Sequence, residues 1–169
     1  MESKNRLYNL ILPVWMLWIF PPFIFLILGA NFVVDSVVLL LMLCVLKTGT
    51  IWKNYRECIW KVWGFGFLAD AIGATFLFVI SQIFYLIGIN NEAFSFLNDI
   101  RWNIEYDPYS NIYAFLLTVL AIAISLISIY LFNLKISFRR LDISLVQRKK
   151  LALALAVLTA PYLFLWPMP

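Results

Sequence analysis

Two ionisable residues, Asp35 and Asp70, stand inside otherwise apolar stretches of this 169-residue chain. A carboxylate in hydrocarbon costs about 2.5–3.5 kcal/mol on insertion scales, so such residues face a bundle interior and not lipid. Asp70 lies in the run GFGFLADAIGATF, where Gly66, Asp70 and Gly73 fall at i, i+4 and i+7, on one helical face. Glycines at that spacing let a second helix approach closely. Ser125 and Ser128, counted back from Leu134, lie at a similar depth, and a hydroxyl from either can hydrogen-bond Asp70. Asp70, Asp35, Ser125 and Ser128 are therefore the candidate substrate- or ion-binding set, with a proton or a small cation as the ligand. The plainer reading is that Asp70 makes a polar bond between packed helices. A third possibility is an aspartyl dyad, because two carboxyls a few ångströms apart share a proton and activate water. It requires Asp35 and Asp70 to lie at the same depth.

Other chemistries lack their residues. The chain has no His, which removes imidazole metal sites and His-based catalysis. Its two cysteines, Cys44 in an apolar run and Cys58 in a basic segment, form no CxxC pair. There is no glycine-rich phosphate loop, so nucleotide hydrolysis would need a separate subunit. Glu105 and Asp107 offer two carboxylates with few other oxygens, a poor cation site. Neither a metal nor a cofactor is expected.

The elements that must position Asp35 and Asp70 follow from composition. Hydrophobic residues make up 64% of the chain and charged residues 13%, against about 45–50% and about 25% in soluble domains. Mean hydropathy is +0.91. Aromatics reach 18%, with seven Trp, as suits a protein that crosses membrane–water interfaces. An all-α polytopic membrane bundle is expected, a single domain over residues 1–169. Five apolar stretches serve as spans: about Leu7–Leu28, Phe32–Leu46, Val62–Ile87, Ile112–Leu134 and Leu151–Trp166.

Orientation follows from Lys and Arg. Of 13 basic residues, 12 fall in three segments: the N-terminus, residues 47–61 and residues 135–150. The segment 88–111 carries only Arg101, and Gly29-Ala30-Asn31 carries no charge. Basic loops stay in the cytoplasm, and five crossings put all three basic segments there. The N-terminus is then inside and the C-terminus outside, in the plasma (cytoplasmic) membrane. The net charge of +4 points to anionic headgroups at that face and not to nucleic acid. The first hairpin has an alternative. Pro22 suits a first helical turn, and one helix from Pro22 to about Leu46 would replace the turn at residues 29–31. Asp35 sits near the outer surface in the hairpin, at the depth of Ser81 and Gln82, and near mid-membrane in the long helix.

The connections carry weaker signals. Ile51–Lys61 is amphipathic, with Ile51, Trp52, Tyr55 and Ile59 on one face, and reads as an in-plane interfacial helix feeding the third span. The external loop 88–111 is expected to hold a short helix near Ala93–Trp102, a turn at Asp107-Pro108, and a cap at Ser110 or Asn111. On the last span Ala152, Ala156 and Ala160 recur at i+4, a smooth stripe for helix packing or partner docking, as are Gly66 and Gly73 on the third. The alanine stripe resembles the one with which substrate-binding subunits of vitamin transporters dock their transport partner, although theirs lies on the first of usually six spans. The motif of intramembrane aspartyl proteases, Gly-x-Gly-Asp, is not met, because Phe67-Leu68-Ala69 separates Gly66 from Asp70. The Asn-x-x-Asp spacing of lipoprotein signal peptidases is missed by one residue between Asn31 and Asp35.

Three functional readings stand on this. The first is a non-catalytic membrane subunit of assembly, regulatory or immunity type, with a membrane-protein partner or a second copy of itself. The second is a small transporter, or a transporter's membrane subunit, built on the intramembrane Asp site. The third is an intramembrane aspartyl hydrolase.

Overall fold

In a computed structural model, residues 21–90 and 92–167 are described, and all their regular structure is helical. The basic flank Lys4 and Arg6 and the first part of the expected first crossing, residues 7–20, lie outside these residues. Three of the described helices are long and apolar enough to cross a membrane.

Helix α1 runs from Pro21 to Val45, 25 residues without a break. Gly29-Ala30-Asn31 is therefore not a turn, and the hairpin of separate spans 7–28 and 32–46 gives way to the single long helix. Glycine weakens a helix in water, but inside an apolar run the backbone has no other hydrogen-bond partner than its own helix. Trp63 pins the region by donating its indole N–H to the Leu28 carbonyl at 2.9 Å. At about 1.5 Å per residue, α1 is long enough to cross a core of about 30 Å.

A tight turn, closed by Gly49 at a left-handed φ of 74°, leads into α2, Ile51–Asn90. Its 40 residues form one helix. The amphipathic segment 51–61 is thus not a separate in-plane helix but the first three turns of α2. No Gly or Pro interrupts 51–63, and Cys58, Ile59 and Val62 are buried in the same core as Leu39 and Leu43 of α1. That packing holds the segment against the bundle.

The connection between α2 and the next long helix contains α3, Phe96–Tyr106, a few residues beyond its expected place. A short turn at Pro108–Ser110 follows, and Asn111 caps α4, Ile112–Phe132, by accepting from the amides of Tyr113 and Ala114. Asp107 accepts from the Tyr109 amide and the Ser110 hydroxyl. Helix α4 ends in a wide π turn, Asn133–Ser137. Helix α5, Leu145–Thr159, opens on a capping box between Ser144 and Gln147. Gln147 also donates to the Leu46 carbonyl at 2.9 Å, so α5 begins at the end of the bundle where α1 finishes. The expected fifth span, 151–166, is corrected: the helix starts six residues earlier and stops at Thr159. Pro161 brings no amide hydrogen, and Tyr162 donates its hydroxyl to the Val157 carbonyl at 2.5 Å in its place. The chain continues as a 3-10 turn, Tyr162–Leu165.

The interior divides into two apolar cores. The first joins Leu39 and Leu43, Ile59 and Val62, Phe138, Leu151 and Leu155. The second joins Leu77, Ile104, Ala121, Ile122 and Phe164. Large apolar side chains such as Val33, Val37 and Leu41 on α1 and Ile127 on α4 face outward, as a lipid-facing surface requires.

Candidate functional site

Along α2, Ala69 belongs to the first core and Leu77 to the second. Gly66, Asp70 and Gly73 of α2 lie around this seam, and the site is built there. Gly66 leaves room for α1: a Cβ on it would stand 3.3 Å from Asp35 Oδ2. Gly73 leaves room for α4: a Cβ on it would overlap the Ser125 hydroxyl and lie 3.0 Å from the Ala121 carbonyl. Between them Asp70 turns inward. Asp35 and Asp70 are each only 5% exposed.

The two carboxyls share one pocket of about 30 Å³, lined by Asn31, Val34, Asp35, Gly66, Asp70 and Thr159. That volume holds one water or one small ion. The side chains of Asp35 and Thr159 are in contact, and the two carboxylates are close enough to repel each other. Asp70 Oδ1 is buried with no hydrogen-bond partner. The Thr159 hydroxyl also lies 2.8 Å from the Leu155 carbonyl of its own helix, so its single proton is shared between that carbonyl and Asp35.

Thr159 is also the last residue of α5. A helix C-terminus carries roughly half a negative charge, on carbonyls that have no following amide. Two carboxyls and a helix C-terminus thus converge, and no basic side chain among the described residues lines the pocket. Such a group is stable in an apolar bundle only with a proton or a cation to offset it.

Of the four expected site residues, the structure brings together Asp35 and Asp70. Ser125 is buried beside Gly73 with its hydroxyl unpartnered, outside the pocket lining. The expected hydrogen bond from Ser125 or Ser128 to Asp70 is absent. Ser128 instead donates to the Ile124 carbonyl of its own helix at 2.8 Å. The residue missed from sequence is Thr159. Its signal was Thr159-Ala160-Pro161, a helix stop inside an apolar run. The alanine stripe lies inside the bundle, with Ala152 and Ala156 in the first core and Ala160 in the second. Ser81, expected at the depth of Asp35 in the hairpin alternative, donates to Glu105 of α3 at 3.1 Å. Arg101 pairs with the same carboxylate at 3.6 Å, and burial pushes the Glu105 carboxyl above the usual carboxylate range. No group of three or more acidic, Cys or His ligands for a metal forms among the described residues.

Comparison with protein families, with curated proteins and with solved structures finds no match to this chain.

Proposed function

We propose that this is a small multi-pass membrane protein whose working element is the Asp35–Asp70–Thr159 pocket, a binding site for a proton or a monovalent cation. The class of activity that fits is ion-coupled carriage, by this chain alone or as the membrane subunit of a carrier. The observation that carries the reading is the buried, unpartnered Oδ1 of Asp70, a residue that lines one small pocket with a second carboxyl and the last residue of α5. Helices that stop inside the membrane and aim their C-terminal carbonyls at a cation are a recurring device of transporters. A bond made only for packing would satisfy the carboxyl it uses.

In this reading α1, α2 and α4 cross the bilayer. The end of the bundle bearing Lys53, Lys61, Lys135 and Arg139 faces the cytoplasm, by the distribution of basic residues. Helix α5 enters from that side and stops at the depth of the pair. Closeness of the two Asp also meets the first demand of an aspartyl hydrolase. The pocket, however, admits a water or an ion and not a peptide or ester.

The test is reaction of the purified protein with an apolar carbodiimide, which modifies protonated carboxyls in membranes, followed by peptide mapping. Labelling at Asp35 or Asp70 that falls as Na⁺ or K⁺ is added identifies a shared proton and cation site. In proteoliposomes, Asp70→Asn should then abolish proton or cation flux while Ser128→Ala leaves it intact. Labelling indifferent to both ions and pH, with no flux in the unaltered protein, would leave Asp70 a packing residue and return the non-catalytic subunit reading.

A further inference from the structure

A second candidate site lies where α4 finishes. The π turn Asn133–Ser137 closes with the Phe138 amide bonded to the Asn133 carbonyl, five residues back, at 2.9 Å. Such wide turns are uncommon and concentrate at functional sites. Here the turn sends Asn133, Ser137 and Phe138 into the interior, where all three are buried, and leaves Lys135, Ile136, Arg139 and Arg140 outside. These four meet Lys61 of α2 around a groove of about 340 Å³. The lining is four cations and one isoleucine, without a carboxylate.

The neighbouring groove shows what a charge-balanced surface looks like in this fold. It is lined by Lys53 and Arg140 together with Glu57 and Asp142. Arg140 borders both grooves, so its charge is partly answered there. Lys61, Lys135 and Arg139 have no carboxylate within ion-pair distance among the described residues. Three or four cations around one concavity repel one another unless an anion joins them. Arginine presents a planar fork that fits tetrahedral oxyanions in two-point contact, and lysine adds mobile point charges. The aliphatic stems of Lys61 and Lys135, with Ile136, give the groove an apolar floor.

We propose that this groove binds a phosphate group, with Arg139 and Lys135 as principal contacts and Lys61 completing the ring from α2. The phosphate is either that of an acidic phospholipid headgroup, for which the apolar floor would take the glycerol and the roots of the chains, or free inorganic phosphate. The inference is independent of the Asp35–Asp70 reading.

The test is native mass spectrometry of the full chain in mild detergent, titrated separately with phosphatidylglycerol, phosphatidylcholine and inorganic phosphate. The comparison is between Lys61→Gln/Lys135→Gln/Arg139→Gln and a control with equal loss of charge at exposed positions of the same end, Lys53→Gln/Lys149→Gln/Lys150→Gln. Retention of phosphatidylglycerol over phosphatidylcholine that falls about fivefold per groove charge removed, and far less in the control, supports a lipid phosphate. Displacement of that lipid by inorganic phosphate, with phosphate binding lost in the same variant, assigns free phosphate to the same site. Equal retention of the two lipids with no phosphate binding, or equal losses in groove and control variants, overturns the proposal. Should the triple variant lose its fold, the exposed single change Arg139→Gln is read against Lys149→Gln by the same criteria.

Discussion

Gly66 of α2 faces Asp35 of α1 so closely that a single added Cβ would stand 3.3 Å from the carboxylate oxygen Oδ2. The pocket exists because that position carries no side chain. Gly66→Leu should fill it, remove carbodiimide labelling of the pair and cost about 1–3 kcal/mol through overpacking. Two residues away, a Cβ on Gly64 meets nothing within 4 Å, so Gly64→Ala should be neutral or stabilise the helix by up to about 1 kcal/mol. Thermal unfolding in detergent and peptide mapping check both. Equal effects of the two changes would mean that the helix, and not the pocket, is being read.

Gly73 tests the contact between α2 and α4. Its Cβ would meet a movable partner, the Ser125 hydroxyl, and an immovable one, the Ala121 carbonyl at 3.0 Å. Gly73→Ala should destabilise by about 1–3 kcal/mol. Adding Ser125→Ala should recover only part of that loss, because the carbonyl remains. A double-mutant cycle reads the coupling. Full recovery would show that the two helices can separate at Ala121.

Asp70→Asn should raise the melting temperature while removing the ion response. It deletes one of two like charges and replaces an unpartnered oxygen with a group that both donates and accepts. A gain of about 1 kcal/mol is the usual scale for relieving a functional site. A lower melting temperature would instead mark Asp70 as a bond that holds the helices together.

Docking of α3 should depend on pH through Glu105. Burial raises this carboxyl above its ordinary range, against the smaller opposing effects of Arg101 and Ser81. Below the ordinary value the acid is neutral in both folded and unfolded chains, and its contribution to stability is complete. As pH rises from there through the raised value, the unfolded chain ionises first, and that contribution is lost. Amide exchange at Ile100 and Ile104, both buried on α3, should therefore be slowest on the acid side once corrected for intrinsic rates. Glu105→Gln should flatten the profile, and a variant with an unaltered profile would assign the titration elsewhere.

The helical class can be read from apolar runs alone, because hydrocarbon leaves the backbone few other solutions. Asp35 and Asp70 are conspicuous by residue type. Their meeting is not, because it depends on whether Gly29-Ala30-Asn31 bends or continues. The same residues are turn formers in water and helix members in an apolar bundle. The continuity of α2 through residue 61 is hidden for a related reason. An amphipathic face looks the same whether it lies on lipid or, as with Cys58, Ile59 and Val62, on neighbouring helices. Thr159 is marked only by the helix stop at Pro161 that follows it, and a mid-run threonine acquires its meaning only when the helix ends at it.

Helix α2 also fixes a length. Lys61 in the basic groove and Ser81 under α3 are 20 residues apart on one uninterrupted helix, a rise of about 30 Å. That is about the thickness of a bilayer's hydrocarbon core. The bundle thus carries its own ruler for the membrane, marked at one end by a cation ring and at the other by the Ser81–Glu105 clasp. In a thinner or thicker bilayer the ruler cannot shorten or stretch. Either the lipid deforms around it or the whole bundle tilts, and a tilt carries with it the Asp35–Asp70 pair, which sits between the two marks.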